Sequence, residues 1–413
     1  MGRIVDVAII GAGPYGLSLG AHLRSRGIDF RIFGDAMASW RDNMPEGMLL
    51  KSYPWASNLA EPKSEFSVKR FCTDNMLPYH DSFHPLAVET FISYGKAFQN
   101  RYVPDVENRR VTTLTPTGSA IDVGFEDGET VRASRVVVAV GMTPFGVQPT
   151  IADSIPSEFV SHSSAYGAFD SLAGKEVAIV GSGSSATDLA AFLHEQGVSV
   201  SLVARQPELI FAGTPRPRSL LQRAIGPTSG IGNGWTMGVC ATAPWAIHML
   251  PSKVRIQLAN AQALGPLGGA FMRDRVIGQV PLHLGSNLTE LKMRGDRVEL
   301  SLGSARNSLR FDHVIFATGY RTNVDRLPFL TPEDRKVIRR TGDAPALSRH
   351  YESSIPGLHF VGPAAANSFG PVSRFVYGTP HPARHLTNYF ASVLPHRQVT
   401  VNHPQGIEVA AVR

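Results

Sequence analysis

The chain has 413 residues, of which 43% are hydrophobic and 18% are charged, a balance typical of a globular protein rather than a disordered one. That length predicts two or three domains. The net charge of +6 is modest and no run of basic residues stands out, so the composition argues against a nucleic-acid partner.

The chain contains two cysteines, Cys72 and Cys240, which lie far apart in sequence. No CxxC pair is available for a redox dithiol or a thiolate zinc site, and this excludes the flavoprotein disulfide reductases as a functional class. Each cysteine is expected to be a buried structural residue.

The N-terminal sequence enters an apolar run almost at once, without a charged leader and a cleavage site, so a cytoplasmic location is expected. The longest nearly uncharged stretch, residues 237–250, is too short to form a transmembrane segment. This stretch is expected to line a pocket, with contact at a membrane surface as the alternative.

Residues 11–16 read Gly-Ala-Gly-Pro-Tyr-Gly, directly after an apolar run and before an Ala- and Leu-rich segment. This context predicts a strand, a tight turn and a helix that together bind a dinucleotide. Gly11 permits the turn, Gly13 lets backbone N–H groups approach a pyrophosphate, and Gly16 allows the helix to pack closely on the strand.

Residues 181–186, Gly-Ser-Gly-Ser-Ser-Ala, repeat this pattern after the apolar run at 177–180, and Ala186 is the small third residue. The following predicted strand ends at Arg205, where an NAD enzyme would usually carry Asp or Glu. A guanidinium there can pair with the 2′-phosphate of NADPH, so the second motif is expected to prefer NADPH.

Two further buried strands end in glycine, at Gly141 and Gly319, and they bracket the second motif. This order predicts an α/β protein with two Rossmann-like dinucleotide-binding domains, the second being inserted into the first. The predicted parts are residues 1–150, residues 151–312 with an irregular insertion at 206–281, and residues 313–413.

The motifs in this order resemble those of the class B flavin-dependent monooxygenases, which include flavin-containing, Baeyer–Villiger and N-hydroxylating enzymes. The resemblance covers nearly the whole chain and rests on the two glycine motifs, Trp40-Arg41, Met48-Leu49-Leu50-Lys51-Ser52, Ala317-Thr318-Gly319-Tyr320 and Phe360-Val361-Gly362. It implies that the first motif holds FAD and that the second holds NADPH.

By this resemblance, the residues expected to bind FAD are Gly11, Gly13, Pro14, Gly16, Asp35, Trp40, Met48, Lys51, Ser368, Phe369 and Gly370. The residues expected to bind NADPH are Gly181, Ser182, Gly183, Ser184, Ser185, Arg205, Tyr166 and Gly319. The catalytic candidates, with no assigned role, are His162, Tyr320 and Asn367.

Two positions depart from the family pattern. The acidic residue that usually binds the FAD ribose is replaced by Gly34, so either Asp35 serves one position later or the ribose is held in another way. The family's Phe-x-Gly-x-x-x-His-x-x-x-aromatic signature survives only as His162 and Tyr166. This loss argues against a Baeyer–Villiger enzyme and favours a nitrogen or sulfur substrate.

Residues 367–375 predict the start of a helix with Pro371 at its first position, where the missing N–H costs little. In many two-domain flavoproteins, the N-terminus of such a helix points at the pyrimidine edge of the flavin. Its positive dipole would stabilise the reduced, anionic flavin, with Ser368, Phe369 and Gly370 as neighbours.

The resemblance therefore implies reduction of FAD by NADPH, reaction with O2 to give a C4a-(hydro)peroxyflavin, and transfer of one oxygen atom to a nucleophilic centre of a small molecule. An NADPH-dependent flavoprotein reductase or oxidase without oxygen insertion is the alternative. A flavin-binding sensor is a third class, which two intact cofactor motifs argue against. An oligomer is possible but not indicated by the sequence.

No metal site is expected, because His80, Asp81 and His84 have no evident further ligand. Trp55, Trp235 and Trp245 are candidates for a substrate wall, although tryptophan is more often found in a core.

Overall fold

The computed structural model describes residues 3–394 apart from 82–83, 214–218, 220–225, 261–266 and 304–307. In that part of the chain, the strands are β1 (Val5–Ile10), β2 (Phe30–Phe33), β3 (Val106–Glu107), β4 (Val111–Thr117), β5 (Ala120–Phe125), β6 (Thr130–Val138), β7 (Val160–His162), β8 (Glu176–Val180), β9 (Ser199–Val203), β10 (Thr228–Ser229), β11 (Gly232–Asn233), β12 (Leu282–His283), β13 (Leu288–Arg294), β14 (Arg297–Leu302), β15 (Ser308–Phe311), β16 (His313–Phe316), β17 (Arg340–Thr341), β18 (Ala344–Pro345) and β19 (Leu358–Phe360).

The described α-helices are α1 (Pro14–Ser25), α2 (Ala38–Arg41), α3 (Val68–Asp74), α4 (Val88–Tyr102), α5 (Ser184–Glu195), α6 (Trp235–Thr242), α7 (Pro244–His248), α8 (Ser252–Ala259), α9 (Arg273–Val276), α10 (Pro332–Val337), α11 (Ala366–Phe369) and α12 (Pro380–Val393). Short 3-10 turns connect several of them. Among the described helices, none combines the length and apolar character needed to cross a bilayer.

The first sheet contains β1 and the strands around it. Its parallel part has the order β3-β2-β1-β6, and β19 pairs in parallel with the last three residues of β6. The antiparallel strands β5 and β4 extend the sheet from the other end of β6. Val7, Ala8 and Ile9 are fully buried in β1, because helices or loops cover both faces of this part of the sheet.

The second sheet has the order β12-β9-β8-β16-β7, and all of its pairings are parallel. Strands from the middle of the chain thus form a second parallel sheet, and β19 returns to the first. The predicted fold of two Rossmann-like domains, one inserted into the other, is confirmed.

The boundary predicted at residue 313 is wrong by several positions. Strand β16 pairs with β8 and β7, so residues 313–316 belong to the second sheet. The chain returns to the first domain only after β16. A buried strand that ends in glycine reads the same in either domain, so only the pairing partners decide where it belongs.

The two connections between the sheets run side by side. The N–H of Val147 donates to the carbonyl of Gly319 at 2.9 Å, and the N–H of Arg321 donates to the carbonyl of Phe145 at 2.8 Å. Backbone pairing of the two crossovers limits how far one domain can rotate against the other.

The predicted insertion contributes helices α6, α7 and α8. Ile231, Cys240 and Ile247 from this region form a buried cluster with Val372 from the C-terminal segment. Although the sequence assigns the insertion to the NADPH domain, α6 and α7 therefore pack against the segment that follows α11, whereas Val276 of α9 packs in the core of the second domain.

Candidate cofactor and active site

The first glycine motif forms a turn at the end of β1 that only glycine fits at two positions. Gly11 has φ +109°, and a Cβ there would collide with the carbonyl oxygen of Ala139. A Cβ at Gly16 would collide with the carbonyl oxygen of Gly11. These close approaches let α1 start directly against the sheet.

Gly13 plays a different part, because a Cβ there would meet nothing within 4 Å. It is the N-cap of α1, no side chain caps this helix end, and Pro14 occupies the first turn. An uncapped helix N-terminus beside open space is an anion site, since its N–H groups and dipole favour negative charge. The residues present therefore fit a dinucleotide pyrophosphate.

The second glycine motif repeats this geometry at the start of α5. The N-cap Gly183 has φ −90° and ψ −172°, against −85° and −171° at Gly13, and again no side chain caps the helix. Gly181 has φ +151°, and a Cβ there would collide with the carbonyl oxygen of Ala317. Two turns with matching backbone thus stand on two parallel sheets.

The serines and the arginine predicted for NADPH lie around this second turn. Ser184 and Ser185 begin α5, with Ser182 just ahead of them in the turn. Arg205 is exposed two residues after β9 and makes no hydrogen bond or ion pair with another described residue. Its guanidinium is therefore available to an anionic ligand.

Asp35, the candidate for the FAD ribose, is bound by Arg41. The guanidinium of Arg41 donates from Nη2 to Oδ2 at 2.6 Å and from Nη1 to Oδ1 at 3.2 Å. These hydrogen bonds hold the pKa of the Asp35 carboxyl below its ordinary value, so it stays ionised. A carboxylate has further lone pairs, and Asp35 can still accept from a ribose hydroxyl.

Trp40 and Met48 occupy structural positions near the first motif. The Trp40 ring packs edge-on against Phe91, with centroids 4.6 Å apart. Met48 is partly buried and packs against the cores of both domains. Met48 thus contacts both domains, whereas Trp40 packs within the first.

Lys51, predicted to contact FAD, reaches the other domain. Its ammonium donates to Oδ2 of Asp188, which lies in the second turn of α5. The Asp188 side chain is 5% exposed and the Lys51 side chain 28%, and Oδ1 of Asp188 has no hydrogen-bond partner among the described residues. Burial raises the pKa of Asp188 and the Lys51 charge opposes that rise. The sequence offered no signal for this pairing.

His162 and Tyr320 lie together at the domain crossover. Nε2 of His162 lies 3.1 Å from the carbonyl oxygen of Gly319, so it must carry the proton and donate. Nδ1 then accepts from the N–H of Ser164 at 3.2 Å. Burial lowers the pKa of His162, and the Tyr320 ring packs edge-on against it at 5.1 Å. Through these contacts, the His162 side chain holds the crossover in place at the carbonyl of Gly319.

Tyr166 is buried within the second domain. Its hydroxyl lies 2.7 Å from Oγ of Ser161 and 2.9 Å from Nε2 of His313. Burial raises the pKa of this hydroxyl. The described contacts therefore occupy the polar end of Tyr166 with protein partners.

The C-terminal candidates are packed and hydrogen-bonded. Asn367 donates from its side-chain amide to the carbonyl of Thr341 at 2.8 Å. Ser368 is fully buried and its hydroxyl accepts from the N–H of Leu347 at 3.2 Å. Phe369 stacks on Tyr351 at 3.8 Å.

The helix predicted to begin at Pro371 is only a 3-10 turn, Pro371–Arg374, and the long helix α12 begins at Pro380. Both prolines satisfy the same local rule for a helix start. Gly370, with φ +84°, reverses the chain ahead of the first proline. The predicted start of the helix was therefore wrong by nine residues.

Tyr15, inside the first motif, is a contact that the sequence analysis missed. Its hydroxyl donates to the carbonyl of Phe375 at 2.9 Å, and a Cβ at Gly362 or Gly378 would crowd or collide with its side chain. Tyr15 thus ties the first glycine turn to the C-terminal segment. In the sequence, the only signals for this contact were Gly362 and Gly378, far along the chain from Tyr15.

The three tryptophans proposed for a substrate wall lie in different environments. Trp55 lines a cavity in the first domain. Trp235 and Trp245 are 65% and 58% exposed on α6 and α7.

Among the described residues, no group of three His, Cys, Asp or Glu side chains could hold a metal ion. Both cysteines are buried, in separate clusters.

Residues 8–221 match the family described as pyridine nucleotide-disulphide oxidoreductase, and this match covers just over half of the chain. The chain belongs to this family. Membership concerns the dinucleotide-binding architecture, because Cys72 and Cys240 lie in different buried clusters and cannot supply the neighbouring pair that disulfide exchange requires.

Two sequence relatives differ in how much of the chain they match. Indole-3-pyruvate monooxygenase YUCCA1 from Oryza sativa subsp. japonica is 26% identical over 352 residues, covering 78% of this chain and 78% of the relative. A ferredoxin–NADP reductase from Nocardioides sp. is 30% identical over 212 residues, covering 49% of this chain and 55% of that one.

Two solved structures share the fold along nearly the whole chain. The reduced ornithine hydroxylase of Pseudomonas aeruginosa has a TM-score of 0.75 at 16% identity and covers 94% of this chain and 99% of its own. The ornithine N-hydroxylase of Kutzneria sp. 744, described with reduced FAD, NADP+ and L-ornithine, has a TM-score of 0.74 at 16% identity with the same coverage. The predicted resemblance to flavin-dependent monooxygenases is confirmed.

Proposed function

We propose that this chain is a monooxygenase that uses FAD, NADPH and O2 to transfer one oxygen atom to a nitrogen or sulfur centre of a small molecule. The observation that carries the proposal is the pair of uncapped helix N-termini with nearly identical backbone, at Gly13 and Gly183. One chain with two such turns on two sheets is suited to two dinucleotides.

The first turn would hold FAD. The backbone around Gly13 would receive the pyrophosphate, and Asp35, fixed by Arg41, would accept from the ribose. Ser368 and Phe369 follow β19 of the same sheet, and we assign them to the flavin end of the site. Their full burial supports a rigid wall that excludes water from a reduced flavin.

The second turn would hold NADPH. The backbone at Gly183, with Ser182, Ser184 and Ser185 around it, would receive the pyrophosphate, and the unpaired guanidinium of Arg205 would pair with the 2′-phosphate. When bound, the two cofactors supply hydride transfer and oxygen activation.

The protein's own contribution is to hold the domains at a fixed distance and to keep the space between them dry. The Lys51–Asp188 ion pair and the paired crossovers link the domains on two sides. Neutral His162 braces the carbonyl of Gly319 and leaves no proton on Nδ1, so a general acid role for this nitrogen is disfavoured.

The test is anaerobic stopped-flow reduction of the FAD-loaded protein with NADPH, followed by mixing with oxygenated buffer. Transient absorbance of the C4a-(hydro)peroxyflavin supports the proposal, and direct return to oxidised flavin with release of peroxide contradicts it. The Gly181→Ala variant, reduced with dithionite, separates the oxygen step from hydride transfer. It should lose reduction by NADPH and keep the oxygen reaction.

An NADPH-dependent reductase without oxygen insertion is the second candidate. The partial likeness to a ferredoxin–NADP reductase favours it. The same experiment separates the two functions, because a reductase would pass electrons to an added one-electron acceptor and would form no oxygen adduct.

A further inference from the structure

A cavity of about 180 Å³ lies in the first domain, apart from the two glycine turns. Its walls come from the chain around Trp55, Asn58 and Phe66, from Tyr377, and from the start of α12, which contributes Arg384. An apolar cavity of about 150 Å³ holds one benzene molecule. The space therefore suits a single aromatic ring with a short side arm.

The aromatic walls of this cavity are held in place. Tyr53 stacks on Trp55 with centroids 5.6 Å apart, and the Trp55 ring meets Tyr377 edge-on at 5.8 Å. A Cβ at Gly230 would collide with the Tyr377 ring, so the turn between β10 and β11 presses directly on it. Fixed aromatic faces favour an aromatic ligand, because stacked or edge-on ring pairs add to simple burial.

Among the described residues that line the cavity, Arg384 is the only charged one, and it makes no hydrogen bond or ion pair with another described residue. Two of the polar side chains nearby are already engaged. Oδ1 of Asn58 accepts from the N–H of Val68 at 2.7 Å, and Oγ of Ser67 accepts from the N–H of Arg70 at 3.1 Å. Arg384 therefore offers a charged group that no described residue neutralises.

We propose that this cavity binds an aromatic carboxylate, with its ring packed against Trp55 and Tyr377 and its carboxylate on Arg384. The described lining contains no Asp or Glu, so the ammonium of an aliphatic amine would find no carboxylate partner there. A guanidinium suits a carboxylate because it donates two parallel hydrogen bonds.

The cavity adjoins the first cofactor turn through its walls. The N–H of Ala60, a lining residue, donates to Oγ of Ser18 in α1 at 3.0 Å. Gly378, next to Tyr377, packs against Tyr15 of the first glycine motif. We therefore take as the substrate an aromatic carboxylate that also carries the nitrogen or sulfur centre, and this step alone rests on the proposed function.

The test is isothermal titration of the FAD-loaded protein with phenylacetate and, separately, with phenylacetamide, which has nearly the same shape and no charge. Phenylacetate should bind at least about tenfold more tightly than the amide, as expected for a charge-assisted hydrogen bond. Arg384→Gln should remove this preference and leave the affinity for the amide unchanged. Trp55→Leu should weaken both probes. Arg110→Gln, an exposed arginine outside the cavity, is the matched control.

Equal affinity for the two probes, an unchanged preference in Arg384→Gln, or no binding of phenylacetate overturns the proposal. These outcomes do not depend on turnover. A carboxylate preference that vanishes in Arg384→Gln, without any effect of phenylacetate on NADPH-driven oxygen uptake, establishes the binding site and counts against its role in the proposed monooxygenase.

Discussion

Removal of the positive charge at Lys51 should destabilise the protein more than removal of an exposed lysine. Lys51→Met would leave the Asp188 carboxylate in a site where 5% of its side chain is exposed, with no cation in contact. Loss of one partner of a buried pair costs about 3–5 kcal/mol. Because Lys51 is itself 28% exposed, we expect the lower end, about 3 kcal/mol.

The loss should depend on pH in a definite direction. Burial already raises the pKa of Asp188, and removal of Lys51 raises it further. An acid whose pKa is higher in the folded state favours folding at low pH and opposes it as pH rises through that pKa. The deficit of Lys51→Met should therefore be larger near pH 8 than near pH 5, because a higher pH favours the ionised form of Asp188 that the buried site disfavours.

Urea unfolding followed by far-UV circular dichroism at the two pH values measures this deficit. Lys292→Met is the matched control, because the Lys292–Glu290 pair spans 2.6 Å with both side chains about half exposed. Such a surface pair contributes less than about 1 kcal/mol. The double variant Lys51→Met, Asp188→Leu should recover most of the loss, since it leaves no buried charge.

The reasoning fails if Lys51→Met loses no more stability than Lys292→Met, or if its deficit is the same at both pH values. Failure of the double variant to recover stability would point to packing, rather than charge, as the contribution of Lys51.

Three further predictions concern the glycine turns, Arg205 and the partly buried His381. Gly11→Ala should lower the free energy of unfolding by roughly 2 kcal/mol, because its Cβ collides with Ala139. Gly13→Ala should unfold like the wild type, because its Cβ meets no protein atom. It should nevertheless lose bound FAD, measured as flavin absorbance per protein. Arg205→Glu should raise the Kd for NADPH at least about tenfold and leave that for NADH unchanged in fluorescence titrations; equal effects would contradict a 2′-phosphate contact. Burial lowers the pKa of His381 from 6.5 to about 4, so its contribution to stability is present above 6.5 and lost as pH falls towards 4. The melting temperature should fall over that range, with a smaller fall in His381→Phe.

Much of the fold could be read from local sequence. The apolar runs before Gly11 and Gly181 are the central strands β1 and β8, and both glycines adopt the positive φ that the motif requires. A backbone conformation closed to other residues and a run of buried side chains are properties of a few adjacent positions. The two-domain order followed because each motif marks the start of its own sheet.

Other expectations depended on which distant segments meet. Lys51 and Asp188 are 137 positions apart, and their pairing follows from how the two domains lie together. His162 and Tyr166, a spacing typical of a family signature, are held by Gly319 and by His313 because β16 pairs with β7.

The sequence by itself determined the local turns, the buried strands and the two uncapped helix N-termini that we propose bind cofactors. Tertiary structure alone decided that β16 belongs to the second sheet, that Pro371 starts only a short turn, and that Trp55 and Arg384 share a cavity. The reason is physical. A glycine at positive φ is required by its own backbone, whereas a side chain's partner is set by sheet order and helix packing, which no short stretch of sequence contains.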